Sequence, residues 1–204
     1  GSTGQTGVVT IDNDATLTIS KDLTIYADGS SNTIVQTADT PLVLTGKDLN
    51  LHGNGAITLQ DIGSAGNELN SITVHSGTVG FNGDVFADAQ DYTGAASATI
   101  TGAITLDADN GAGAINFTGT NLTRTAGGDT LTLLGQAGDV LTLASVGAEA
   151  TGELGGVTVS SGIAAFTGDV FADAQDYTGA ASATIAGAIT LDADNGAGAI
   201  NFTG

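Results

Sequence analysis

Cysteine, methionine and tryptophan are absent from this chain of 204 residues, proline occurs once, and Lys and Arg together number three against 22 Asp and Glu. The missing cysteines exclude a disulfide framework, a thiolate nucleophile and a zinc site of the Cys type. Lys21, Lys47 and Arg124 are too few to assemble a positive patch, and a formal net charge of −19 argues against nucleic acid or an anionic membrane surface as partner. No apolar run approaches the roughly 18 residues of a membrane span, so insertion into a bilayer is not expected. No signal peptide opens the sequence, and Gly1-Ser2 reads as a cloning remnant ahead of one continuous repeat region, residues 3–204.

What is present favours order. Val, Ile, Leu and Phe make up 49 of the 204 residues, above the level of about 20% below which a highly charged chain is expected to be disordered. The core-forming residues are mostly β-branched or Leu, and the polar residues are rich in Thr, Asp and Asn. That vocabulary suits strands and turns, and the expected class is all-β.

Self-comparison gives the strongest signal. Residues 83–119 and 168–204 align at an offset of 85 with 36 matches in 37 positions, the one difference being Thr101 against Ala186. Weaker similarity extends upstream, with Thr73, Val74, Ser76, Gly77 and Phe81 matching Thr158, Val159, Ser161, Gly162 and Phe166. The second copy stops at Gly204, the counterpart of Gly119, which suggests an end cut through a tandem array. A finer period lies inside: Lys21-Asp22-Leu23-Thr24-Ile25 recurs as Lys47-Asp48-Leu49-Asn50-Leu51, 26 positions on. Three steps of about 28 residues, each of three short strands, would make one unit.

Period-2 alternation marks the strands, as in Ala15-Thr16-Leu17-Thr18-Ile19, Ala103-Ile104-Thr105-Leu106 and Val140-Leu141-Thr142-Leu143. Between them stand Asp28-Gly29, Asn54-Gly55, Asn82-Gly83 and Asn110-Gly111, read as sources of the positive φ that tight turns require. Short strands with one inward row, in a recurring unit, predict a parallel β-helix (β-solenoid) of roughly three-strand coils. Tandem β-sandwich domains of about 85 residues are the alternative.

The stretch Ile72-Thr73-Val74-His75-Ser76-Gly77-Thr78-Val79-Gly80-Phe81-Asn82-Gly83-Asp84-Val85 and its relative from Val157 to Val170 resemble the shaft repeats of filamentous-haemagglutinin-like exoproteins and autotransporter passengers. The resemblance implies a long right-handed parallel β-helix on a bacterial surface, acting in adhesion, aggregation or biofilm. The asparagine-proline motifs of that family's secretion domain are missing, Pro41 being the only proline, so an interior shaft segment is implied.

Catalytic groups are scarce. His52 and His75 are the only imidazoles, His75 is replaced by Ser160 in the second copy, and neither near-identical unit contains Lys, Arg or His. A β-helix lyase or hydrolase needs a base or a convergent carboxylate pair with cationic support, so a polysaccharide-active enzyme is only an alternative reading. Asp107-Ala108-Asp109-Asn110-Gly111 and Asp192-Ala193-Asp194-Asn195-Gly196 place paired carboxylates at glycine turns. Asp107, Asp109, Asp192 and Asp194 are therefore candidate calcium ligands, although the spacing fits neither the EF-hand loop nor the repeat-in-toxin nonapeptide. The other reading is that these acids cap their own turns, as Asp12-Asn13-Asp14 would. Thr16/Thr18, Thr99/Thr101 and Thr130/Thr132 read as exposed strand threonines. Tyr92 and Tyr177, in the duplicated Asp-Ala-Gln-Asp-Tyr, either leave the coil to contact a glycan or a neighbouring subunit, or cover it.

The expected function is a non-enzymatic, secreted or cell-surface structural and adhesive module of a large repetitive protein, requiring no cofactor. Its expected partners are other copies of itself or a surface glycan or protein. A self-assembling, calcium-stabilised filament subunit is a second reading.

Overall fold

A computed structural model of the chain describes residues 7–12, 17–27, 29, 32–37, 40–111, 113–149, 151–194 and 198–203. Gly1, Ser2, Asn13, Asp14, Ala15, Thr16, Asp28, Asn195, Gly196 and Gly204, which carried part of the sequence reading, lie outside the described residues. Among those described there is no helix, and every strand pairing is parallel. The strands stack into a β-solenoid of about 8 turns.

Three faces recur in a fixed order. The first begins with Val8–Ile11, which pairs with Thr33–Gln36, and continues through Ile57, Val79, Ala98 and Leu122. Isolated bridges carry it on to Val146 and Val170, which pairs with Leu191. The second runs from Leu17–Thr18 through Leu42–Val43, Ile62, Val85, Ala103–Ala108, Thr130–Gly135, Gly156–Val159 and Gln175–Asp176 to Ile200–Asn201. The third stacks Leu23–Ala27, Leu49, Ile72, Gln90, Ile115, Val140–Leu143, Ile163–Phe166 and Ser182–Ile185. The chain visits the faces in this order and then steps up one coil.

Strand alternation decides what enters the middle. Thr130–Gly135 and Ile163–Phe166 alternate half-buried and buried positions, as the period of 2 predicts. Leu131, Leu133, Leu141, Leu143, Val157 and Val159 thus line one continuous core. Each such side chain contributes roughly 1.5–3 kcal/mol on burial. Aromatic rings stack inside the tube along its axis. Phe81 meets Tyr92 edge-on at 5.0 Å, and Tyr92 stacks on Phe117 at 4.7 Å. The second copy repeats the trio as Phe166, Tyr177 and Phe202, at 4.9 Å and 4.9 Å.

Two expectations about spacing need correction. Paired residues of adjacent coils are not about 28 positions apart: the interval ranges from 18 at Val157↔Gln175 to 27 at Ile104↔Leu131. Nor is the 85-residue unit a whole number of coils. From Val79 the first face is met again at Ala98, Leu122 and Val146, yet Ala164, the counterpart of Val79, lies on the third face. The unit therefore spans three coils and two further faces. Its pairings survive the change of face: Val79↔Ala98 becomes Ala164↔Ala183, Val85↔Leu106 becomes Val170↔Leu191, and Gln90↔Ile115 becomes Gln175↔Ile200.

The glycine reading changes too. Gly29, Gly55, Gly83 and Gly111 are not among the positive-φ glycines. They are small because something is close: a Cβ on Gly55 would sit 2.5 Å from the Asn32 carbonyl oxygen, and one on Gly83 2.5 Å from the Asp61 nitrogen. Positive φ occurs elsewhere, at Gly77 (91°) and Gly102 (84°) for example. These two separate the costs. A Cβ at Gly102 meets open space, whereas at Gly77 it would lie 2.3 Å from the Gly53 carbonyl oxygen. Gly102→Ala is expected to cost about 1–2 kcal/mol, the left-handed backbone penalty alone. Gly77→Ala should cost clearly more in urea unfolding, because two coils must also part.

Candidate functional site

Several of the chain's carboxylates stand where a backbone N–H has no partner in its column, at corners and just outside the paired stretch of a strand. Asp61 Oδ1 accepts the Asp84 N–H at 2.9 Å, and Asp84 Oδ1 accepts that of Thr105 at 2.7 Å, one coil on. The second copy keeps the latter bond as Asp169 Oδ1 to Thr190 N–H, 2.6 Å. Asp129, 5% exposed, accepts N–H groups from Gly102, Thr125 and Ala126 at 2.8, 3.1 and 2.9 Å. Burial alone would raise its pKa, but these donors outweigh it and hold the carboxyl below its ordinary range.

The candidate calcium ligands are employed the same way. Asp107 Oδ1 accepts the Asp109 N–H at 3.0 Å, and Asp192 Oδ1 accepts the Asp194 N–H at 3.0 Å, so each pair closes its own turn. The two turns do not meet. Asp107 lies on the second face beside Phe86 and Leu134, and Asp192 on the first beside Phe171. Among the described residues no three His, Cys, Asp or Glu side chains converge to hold a metal ion. Near Asp107 stands Glu68, only 8% exposed: its Oε1 accepts the Asn110 side-chain N–H, and its Oε2 is buried without a hydrogen-bond partner. Burial, opposed by the Asp109 N–H and reinforced by the charges of Asp109 and Glu68, pushes the Asp107 pKa up to about 6.

Tyr92 settles its own question. It is fully buried, and its hydroxyl donates to Gln90 Oε1 at 2.9 Å. Gln90 Nε2 in turn donates to the carbonyls of Asp107 at 2.8 Å and Val85 at 3.2 Å. Tyr177 and Gln175 repeat this bond at 2.9 Å, with Gln175 Nε2 donating to Asp192 O at 2.6 Å. Neither tyrosine leaves the coil. Each is the polar tip of a core ring, anchored by a buried glutamine whose amide ties two coils together, and burial raises both phenol pKa values.

No known family, curated protein or solved structure matches the chain. Function must therefore be argued from its own surfaces. The third face carries an outward stack of rings that sequence reading missed: Tyr26 lies on His52 at 4.6 Å, and His52 on His75 at 4.0 Å with an interplanar angle of 7°. The signal was available, since the 26-residue echo of Lys21 at Lys47 also sets Tyr26 against His52. The third ring needed more. Leu51 pairs with Val74 and His52 with Ser76, so His75 is the extra residue of a bulge that turns its ring onto the stack. Burial and then the His52 charge lower the His75 pKa, with Asp91 opposing. On the first face a shallow recess of about 310 Å³ is lined by Thr58, Thr78, Thr99, Thr101, Thr125 and small or apolar neighbours. Thr125 donates to the Thr101 hydroxyl there at 3.0 Å.

Two stability tests follow from the corners and the core. The raised Asp107 pKa means that the folded chain holds this proton more tightly than the unfolded chain between 3.8 and about 6. Stability should fall as pH climbs through that window and stay reduced above it. Asp107→Asn should remove this component of the slope, matching wild type below the window and exceeding it at neutral pH, read from unfolding midpoints. Tyr92→Phe should lower stability by about 1–3 kcal/mol at neutral pH, by stranding the Gln90 carbonyl oxygen in the core.

Proposed function

We propose that this chain is a shaft module: a non-enzymatic structural and adhesive segment of a large repetitive bacterial protein, secreted or held at the cell surface. Filamentous-haemagglutinin-like exoproteins and autotransporter passengers are the proposed kin. One observation carries the reading. The near-identical unit recurs on different faces of the tube, and what it retains is the pairing between its own successive coils. A site that needs duplicated side chains in one row is not built by such a repeat, whereas a rod of extendable length is.

The outward surfaces support the adhesive half. In both copies Asp84, Asp91 and Asp107 or their counterparts Asp169, Asp176 and Asp192 accept backbone N–H groups, and the ring stack of Tyr26, His52 and His75 offers exposed planar edges of the sort that glycans and protein loops stack against. The proposed partners are a surface glycan or protein and other copies of the chain. This reading requires no calcium. The melting temperature is expected to be the same in excess Ca²⁺ and in chelator, and a rise with Ca²⁺ would overturn that part of the reading.

The shaft reading is tested by length. Adjacent coils are about 4.8 Å apart, so inserting one further copy of the unit should lengthen the particle by about 18 Å in solution scattering without thickening it. A second globular mass on a flexible joint, or turnover of an acidic or neutral polysaccharide, would overturn the reading.

A further inference from the structure

The first face carries a neutral strip on a strongly acidic chain. From the coil of Thr33–Gln36 to that of Leu122–Arg124, its outward strand positions are filled only by Thr, Ser, Asn, Ala, Val and Gly, while Arg124 stands opposite Ile100 in the inward row. The recess of about 310 Å³ lies within this strip. It exists because the outward row that runs Thr58, Gly80, Thr99 has no side chain at its middle position. Thr78 belongs to the row on one side, and Asn82 and Thr101 to the row on the other.

The second unit shows that coil stacking does not ask for this lining. Ala165 takes the place of Gly80 and pairs with Thr142 and Thr184, as Gly80 pairs with Thr58 and Thr99. Thr78, Asn82 and Thr101 become Ile163, Thr167 and Ala186. The backbone bonds are the same in both settings: the Asn82 and Thr101 N–H groups donate to Leu59 O and Phe81 O, and those of Thr167 and Ala186 to Leu143 O and Phe166 O. Thr101 against Ala186 is the one difference between the near-identical stretches, and it falls on the wall of the recess. The gap and its hydroxyls are therefore surplus to the fold.

We propose that the recess over Gly80 seats one uncharged sugar residue of a surface glycan. Its volume lies at the small end of the range of about 300–1,000 Å³ typical of ligand sites, which suits a single ring rather than an extended ligand. Threonine hydroxyls both donate and accept, as sugar hydroxyls do, and Asn82 adds an amide with the same double capacity. Thr101 already accepts a hydrogen bond from Thr125 at 3.0 Å, so its own proton is left to donate into the recess. The threonine methyls give the C–H face of a ring something apolar to lie on. No Lys, Arg or His lines the recess, and the chain carries a net charge of −19, so a sugar acid would enter a negative potential with no cation to meet it. The inference rests on the adhesive half of the shaft reading and gives the glycan a place and a chemistry.

The full chain is titrated by isothermal calorimetry with short oligosaccharides of glucose, mannose and N-acetylglucosamine, and with oligogalacturonate as the charged counterpart. At least one of the neutral series is expected to bind, and oligogalacturonate is not. Thr78→Ile/Gly80→Ala/Asn82→Thr/Thr101→Ala writes the second unit's residues into the recess. This combined variant should keep the wild-type circular dichroism spectrum, as the second unit folds with those residues, and bind about tenfold or more weakly. Thr101→Ala alone should weaken binding in the same direction and decides the matter if the combined variant loses its fold. Tyr26→Ser/His52→Ser, in the ring stack of the third face, should bind as wild type does. No binding of any neutral series, tighter binding of oligogalacturonate, a folded recess variant that binds like wild type, or a folded ring variant that loses binding would each overturn the proposal. Loss in the ring variant alone moves adhesion to the rings and leaves the adhesive reading standing. The shaft reading is judged separately, by the length of the rod in solution scattering.

Discussion

Backbone pairing between coils is the constraint on which the rest of this molecule depends. Among the described residues the strands of each face find their partners in the coils above and below, never in a strand of the same coil. Nothing fixes how many residues a coil must contain, only that three short strands return to their columns. The interval of 18 to 27 residues between paired positions is what that freedom permits. Extra length goes to the corners, as in the turn where the Asn67 N–H donates to Ser64 O, while the columns stay in register. The inward rows fill the tube with Leu, Ile and Val, and where a polar group enters, as at Gln90 and Gln175, its hydrogen bonds tie one coil to the next.

The acidic composition has a local cause in the same constraint. Corners leave backbone N–H groups that the columns do not use, and an N–H needs an acceptor. Asp supplies two oxygens on a short stem, whereas Lys and Arg only donate. Asp61, Asp84, Asp129 and Asp169 are each used in this way. The cost differs with the company each acid keeps. Asp129 has three backbone donors and favours its charge, while Asp107 is held away from water, beside Asp109 and Glu68, and resists it.

The architecture was legible from sequence because alternation at Leu131, Leu133, Leu141 and Leu143 and a tandem unit are one-dimensional signals. Its phase was not. That Val79 and Ala164 lie on different faces follows only from the registers of every intervening coil. Asn-Gly pairs suggested left-handed turns, but at Gly55 and Gly83 the glycine answers a neighbouring coil, a contact between residues distant in sequence. Tyr92 was ambiguous for a related reason: its hydroxyl partner, Gln90, becomes an inward residue only once the strand direction is known. At the candidate calcium turns the sequence offered two readings, and the Asx bonds at Asp107 and Asp192 show that their carboxylates close the turn, while their separation on two faces was beyond its reach.

The mismatch between the unit and the coil turns the array into a screw. Each added unit displaces any surface feature it carries by one face as well as along the axis, so a third repetition is needed before the feature returns to its starting side. A patch carried by every copy would wind around the rod and present itself in every direction. An approaching surface would meet it whatever the rod's orientation, but a ligand gripping two successive copies would have to reach around a corner.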